Sequence, residues 1–518
     1  RLTGDGRIDT DKPVNFRFND KSYTGFVGDT LASALLSNGI RMIGRSFKYH
    51  RPRGIVGSGV EDPNSLVQID SGNRTLPNHM ATQTEIYEGL DAKSVNVWPS
   101  LDFDLLSIND LISPFLPPGF YYKTFMWPQW MWPFYERQLR NAGGFGVAPA
   151  GPDPDRYEKT NAHCDVLVVG GGPSGLAAAL ESGRTGARVI LVDEQNELGG
   201  TLLTNVDQID GDSASDWIRA VEHELNRMPN VQILSRTTAF GYYDHNFVTA
   251  IERVTDHESD NYLYRPRQRL WRIRAGSVVL ATGALERPLI FPNNDRPGIM
   301  LASAVLTYVK RYQVLPGRCP VFFTNNDTAY RSTLELAECG VSIQAVVDLR
   351  SAPEGHLIDA VRDKGIPVLT GSTITHVKGT KSVRSVGIMR HNGIKSFGGT
   401  RWIDCDLIAM SGGWSPVVNL HSQAGGKPNY DLDRVCFVPD EAFQTQKSVG
   451  SCNGTFNLQD CLNEGSYAGA NMALEMGFGN GKVSGQFVSK YKYDSEPKVK
   501  SFWSLYVNNS ILNLGKSF

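Results

Sequence analysis

The sequence predicts an α/β protein: a two-dinucleotide-binding, Rossmann-like fold of the FAD/NAD(P)-binding type, preceded by a small β-grasp module. Three stretches carry that prediction. In the first, an apolar run from Cys164 to Val169 leads into Gly170-x-Gly172-x-x-Gly175 and an alanine-rich helical run, and a second apolar run, Arg188–Val192, ends in Asp193 and Glu194. The second repeats the order strand, helix, strand over Pro320–Phe323, Tyr330–Cys339 and Val341–Asp348. The third is the succession hairpin, helix, loop and strand across residues 13–69.

From the amino terminus, Val14–Phe18 and Ser22–Phe26 alternate apolar and polar residues around Asn19-Asp20-Lys21, the pattern of a hairpin. Asp29 and Thr30 cap a helix through Leu36 that stops near Gly39. Ser65–Ile69 is a further strand. This order predicts a β-grasp module over residues 1–100. Ferredoxins of that fold carry cluster-ligating cysteines in the loop before the last strand; here that loop, Pro52–Ser65, has none, so the module is predicted to lack an iron–sulfur cluster. Residues 101–160 form a connector dense in aromatics and prolines between Pro117 and Tyr135. They cannot make one regular helix. They either pack between domains or anchor another subunit, because Trp, Tyr and Met are enriched in interface cores.

The Rossmann-like domain is predicted over residues 161–300 and 395–490. Gly170 permits the tight turn, Gly172 lets a pyrophosphate approach the backbone, Gly175 lets helix and strand pack closely, and the helix N-terminus offers N–H donors. Glu194 stands where an adenosine ribose is bound. Gly199-Gly200-Thr201 is a second phosphate-facing turn, 231–275 a β-meander, and Ser277–Ala284 an apolar strand ending in Ala281-Thr282-Gly283. Residues 301–394 form a degenerate second nucleotide domain. Its loop, Thr324–Ala329, has no glycine and adds Asp327 where phosphate would sit, so the fold is retained without its nucleotide. Asp406–Pro416 then returns the chain to the first domain. Cys452–Gly465 closes it, with Asn453-Gly454 where flavoproteins carry Gly-Asp, and 491–518 is a linker.

Composition bounds the function. The 518 residues are 41% hydrophobic and 20% charged, enough for several packed domains. A net charge of −2 gives no global basic field for nucleic acid or an anionic membrane. The basic strings Arg45–Arg53 and Arg265–Arg269 are local, and the second is expected to be surface or salt-bridged charge. Seven scattered cysteines without a CxxC argue against zinc or a disulfide framework and for a reducing, cytoplasmic location. No signal peptide and no long apolar run predict a membrane span. The chain starts at Arg1 rather than Met, so both ends are treated as open. No Ser–His–Asp set, metal cluster or carboxylate pair stands out, so catalytic residues are unassigned. His50, His79 and His421 are expected to be loop histidines.

The runs Asp29–Leu36, Arg45–Gly54, Asp62–Asn64 and Gly119–Met126, together with the dinucleotide block, resemble the alpha subunit of heterotetrameric sarcosine oxidase, in the same order over nearly the whole chain. The resemblance implies a tightly bound NAD in this chain, FAD in a beta subunit, FMN between alpha and beta, and small gamma and delta subunits, with zinc in delta. Sarcosine is then oxidised in the partner, and sarcosine, oxygen and tetrahydrofolate yield glycine, methylenetetrahydrofolate and hydrogen peroxide. The folate site belongs to a second, aminomethyltransferase-like half of alpha that is not in this sequence and for which residues 491–518 would be the lead-in, so the resemblance implies either a fragment or a protein without folate coupling. Carried over, the NAD contacts are Gly170, Gly172, Ser174 and Gly175 at the pyrophosphate, and Asp193, Glu194 and Gln195 at the ribose. Gly200 and Thr201 stand at the second turn, Phe240 beside the adenine, and Gly283, Asn453, Gly454 and Leu458 close the pocket. An acid at 194 favours NAD over NADP. Lys48, His50, Arg51 and Arg53 would face an FMN phosphate, the partner subunit or only solvent. Two other functions stay open: a related dye-linked dehydrogenase acting on an opine, proline or N-methylglutamate, and a non-catalytic scaffold stabilised by its nucleotide.

Overall fold

The computed structural model describes the chain except residues 3, 5, 71, 114–126, 143–145, 150, 205–206, 260–263, 491–497, 503–505, 508–509 and 512–518. The amino-terminal module contains β1 (Asp9–Phe18), β2 (Lys21–Val27), α1 (Leu31–Ser37), β3 (Met42–Arg45), β4 (Pro52–Gly54), β5 (Leu66–Ile69), β6 (Leu76–Met80) and β7 (Asp91–Ser94). Its sheet has the order β2-β1-β7-β5-β6. Asn19 and Asp20 both take positive φ, 49° and 64°, which twists the two-residue turn to match its strands. Thr30 caps α1 in a reciprocal box with Ser33. The helix buries Leu31, Leu35 and Leu36 against Phe16 and Phe18 of the sheet.

The densest part of the aromatic connector, residues 114–126, lies outside the described residues. Beyond it, α2 (Trp132–Ala142) follows a turn in which Trp127 and Trp130 are exposed.

The first nucleotide unit is built from β8 (Tyr157–Val169), α3 (Pro173–Arg184), β9 (Val189–Val192), α4 (Ala214–Arg227), β10 (Val231–Leu234), β11 (Thr237–Tyr243), β12 (Phe247–Arg253) and β13 (Gln268–Leu280). The sheet order is β10-β9-β8-β13-β12-β11. Val231–Leu234, expected to open the meander, instead pairs in parallel with β9, and the antiparallel meander is β11–β13 alone. The long strands β8 and β13 pair over their whole length, so the Rossmann core and the meander share one sheet.

β14 (Ala284–Glu286) then crosses to the second unit, which has β15 (Ile299–Leu301), α5 (Ala302–Lys310), β16 (Pro320–Thr324), α6 (Thr328–Glu338), β17 (Ala345–Asp348) and β18 (Val368–Leu369). A three-stranded sheet follows: β19 (Ser372–Lys378), β20 (Ser385–His391) and β21 (Ser396–Asp404). Next is β22 (Leu407–Ser411), which the sequence assigned to the first domain. Instead it lies between β15 and β16, and the second parallel sheet runs β15-β22-β16-β17-β18. Its unbroken apolar run fits either sheet, and only the pairing decides. β23 (Trp414–Pro416) pairs with β14, so both domain crossings form one antiparallel ribbon. β24 (Gln446–Ser448) rejoins β13, and α7 (Leu458–Glu475) packs against α3.

One ion-pair hub ties the module to the meander. Arg267, from the string expected at the surface, is only 2% exposed and holds Asp70, Asp155 and Asp256 at 3.1, 2.7 and 2.7 Å. It is salt-bridged as predicted, but buried. No helix among the described residues is long and apolar enough to cross a membrane.

Candidate dinucleotide site

The site starts where β8 ends. Gly170 turns the chain at φ 106°, and a Cβ there would strike the carbonyl of Ala281, just past β13; one at Gly175 would strike the Gly170 carbonyl. Those two glycines are demanded by the fold. Gly172 differs: a Cβ there would meet nothing within 4 Å, and the same holds for Gly283, at φ 74°. Their bareness leaves room for a ligand. Gly172 is also the N-cap of α3, with Pro173 at its first position and no side chain capping the helix, so no side-chain cap takes up the donors of its first turn. Gly199 donates to the Gly171 carbonyl (2.8 Å), which lays Gly200 and Thr201 alongside this loop.

At the end of β9 the two acids have separate jobs. Asp193 accepts from Gly171 N (2.6 Å) and Gln195 N (2.7 Å), so both oxygens hold the loops together. Among the described residues Glu194 has no hydrogen-bond partner for its carboxylate; burial, then the Asp193 charge, push it up to about 7. Glu194 is half-buried, and an acceptor there with no donor from the described residues is open to a ligand that brings one. The nearby guanidiniums are already engaged. Arg253 donates to Gln83 O and Glu194 O, and Arg236 grips Glu85 at 2.6 and 2.8 Å.

Other predicted contacts fare differently. Gln195 Oε1 accepts from Arg311 of the second unit (2.7 Å), so that oxygen is taken. Phe240 is half-exposed on edge strand β11, three residues beyond Thr237, whose N–H is held by Asp193 O. Ser174 is buried against Gly450, the residue that leaves β24 at φ 66°. The strand-to-helix turn facing the loop is therefore Gly450-Ser451. Asn453-Gly454 lies farther on: Asn453 Nδ2 donates to Glu464 (2.6 Å), and Gly454 packs against Val438. Glu464 also accepts from Gly450 N at 2.9 Å. Leu458 is core, buried with Leu176 and Leu462. Sequence reasoning missed Gly450, Ser451 and Glu464. The signal for the first two was their place directly after the strand; the role of Glu464, a helical turn past Asp460, had none.

The second loop contrasts at every point. Asn326 is fully buried; its amide donates to Ser411 O and Oγ (both 3.1 Å), and its Oδ1 accepts from Thr328 N (3.0 Å). Asp327 is paired with Arg350 at 2.6 Å. In the basic string of the module, His50 Nδ1 meets buried Asp104 (2.7 Å), and Arg51 and Arg53 turn inward onto Asp295 (2.8 and 3.0 Å). Lys48 stands over the Tyr49 ring.

Comparison with known proteins fits this geometry. Residues 11–97 match the family described as a 2Fe-2S iron-sulfur cluster binding domain, and residues 165–250 the family described as FAD dependent oxidoreductase. The chain is 45% identical over 98% of its length to sarcosine oxidase subunit alpha of Rhizobium meliloti (strain 1021), covering 50% of that protein. This chain is homologous to sarcosine oxidase alpha subunits. A second such relative, from Corynebacterium sp. (strain U-96), is 38% identical over 92% of this chain and 45% of its own. The chain thus spans about half the length of the curated relatives it matches. In fold it resembles L-proline dehydrogenase from P. horikoshii, with a TM-score of 0.60 at 20% identity, covering 90% of this chain and 74% of that one. The fold is the Rossmann type of FAD-dependent oxidoreductases behind a ferredoxin-like domain. That domain has no cysteine anywhere before Cys164. Among the described residues no His, Cys, Asp or Glu group could hold a metal.

Proposed function

We propose that this chain is the NAD-carrying subunit of a multi-subunit flavoenzyme that oxidises sarcosine at its CH–NH bond. The observation that carries the dinucleotide assignment is the partnerless Glu194 carboxylate, set beside an uncapped helix N-terminus and the bare Gly172. An adenosine diphosphate unit brings ribose hydroxyls that donate to Glu194 and a pyrophosphate that accepts from the first turn of α3. FAD and NAD share that unit. Two features favour NAD: the turn after β24 carries Ser451, which has no carboxylate for a ribityl chain, and the Asn453 amide is tied back to Glu464. A 2′-phosphate would meet the Glu194 acid at the end of β9, which favours NAD over NADP.

When bound, a nicotinamide or flavin supplies hydride chemistry. This chain's residues bind and orient the adenylate end. The substrate and the complex are supported by the 45% identity to a sarcosine oxidase alpha subunit. In this proposal the catalytic FAD sits in a beta subunit and FMN is shared with it, gamma and delta complete the assembly, and tetrahydrofolate accepts the one-carbon unit. Two measurements on the native complex test it. Denaturation should release one NAD per chain, and turnover with sarcosine should exceed that with an opine, proline or N-methylglutamate. One FAD and no NAD released from this chain would overturn the cofactor; preference for another amine would overturn the substrate.

A further inference from the structure

The turn between β16 and α6 is covered by a peptide. The Lys500 N–H donates to Asn325 O (3.0 Å), and Asn325 Nδ2 donates back to Lys500 O (2.6 Å). One asparagine thus pairs with both backbone groups of one residue, as a neighbouring strand would. Arg350 Nη1 donates to Lys498 O at 3.1 Å. Within the segment Lys498, Lys500 and Ser501 are exposed, while Val499 and Phe502 are half-buried. Val499 comes close enough to Gly413 that a Cβ at 413 would lie 3.1 Å from it. Phe502 packs against the second unit's core and meets the His391 ring edge-on, with 5.7 Å between centroids.

These contacts share one location. Asn325 directly follows β16, Arg350 comes two residues after β17, and Gly413 comes two residues after β22. The three strands are neighbours in the order β22-β16-β17. Segment 498–502 therefore crosses the carboxyl ends of adjacent parallel strands, the crevice in which open α/β sheets take their ligands. Asp327, which repels a phosphate, holds Arg350 at 2.6 Å together with Asp348 at 2.8 Å, and so fixes the guanidinium that reaches Lys498 O.

We infer that the second unit is a peptide-binding domain whose ligand is Lys498–Phe502 of this same chain. Hydrogen bonds to the peptide's main chain, one from backbone and two from the Asn325 and Arg350 side chains, supply recognition, and Val499 and Phe502 supply apolar anchors. Hydrogen–deuterium exchange on the full chain tests this. Peptides covering 498–502 should exchange at least about tenfold more slowly than an unstructured peptide of that sequence. Asn325→Ala, which removes the returning donor, and Val499→Asp, which alters only the strap, should each erase that protection while peptides spanning α6 keep their wild-type exchange. Millimolar NADH or NADPH should leave the wild-type pattern unchanged. Unprotected 498–502 in the wild type, protection that survives both variants, or faster strap exchange on adding nucleotide would each overturn the inference.

Discussion

The turns that follow β8 and β16 enter helices of similar length, 12 and 11 residues, yet treat their backbone donors in opposite ways. After β8, Gly170 and Gly175 bring the loop close to the end of β13, no side chain caps the first turn of α3, and Glu194 has no partner for its carboxylate among the described residues. After β16, Asn326 caps Thr328 N from inside the protein, Asp327 is neutralised by Arg350, and residues 498–502 lie across the top. The same strand–turn–helix frame thus makes an anion site when its donors are unspent and a protein-internal joint when they are used. Glycine content marks the difference in sequence; where the donors go is the physical cause.

Four experiments break or sharpen this contrast. Gly175→Ala should have the largest effect, because the added Cβ meets the Gly170 carbonyl, which cannot yield. A loss of about 3 kcal/mol in denaturant unfolding is expected, with bound dinucleotide lost as well. Asn326→Ala should cost about 2 kcal/mol in the same measurement, since it strands buried partners at Ser411 and Thr328, but should leave dinucleotide stoichiometry unchanged. Glu194→Gln should behave in the opposite way: dinucleotide affinity by calorimetry falls about tenfold, near 1.4 kcal/mol, with no loss of stability. If the two variants had the same signature, the contrast would fail.

The smallest effect is on pH. Glu194 is pushed up to about 7 from 4.5, so the folded chain holds a proton that the unfolded chain has released. Its contribution to stability therefore decreases as pH rises from about 4.5 to about 7, while dinucleotide binding, which needs the ionised acceptor, strengthens over the same rise. Titrations at about pH 6 and about pH 8 should show tighter binding at the higher value, and Glu194→Gln should flatten that slope.

Much of the site was legible in local sequence. Gly170, Gly172 and Gly175 stand where predicted because a strand running into glycines and then a helix is a short-range pattern. Thr30 capped its helix and the Pro52–Ser65 loop lacks cysteines for the same kind of reason. The division of labour between Asp193 and Glu194 was not legible, because adjacent acids look alike until burial and backbone donors separate them. The choice of closing turn has a similar cause. Gly450-Ser451 and Asn453-Gly454 are both small polar pairs, and packing of Gly450 on Ser174 selects between them. Arg267 was expected at the surface because two of its three carboxylates, Asp70 and Asp155, are far from it in the sequence.

The sequence by itself determined that this chain has one glycine-built dinucleotide turn, one that has lost its glycines, and a cysteine-free ferredoxin-like module, since each is written within a few dozen residues. Only the tertiary structure decided that β22 belongs to the second sheet, that Arg51 and Arg53 turn onto Asp295, and that Lys498–Phe502 fills the second crevice. Those outcomes depend on strand pairing, burial and ion pairing between residues far apart in the chain, where local pattern carries no information.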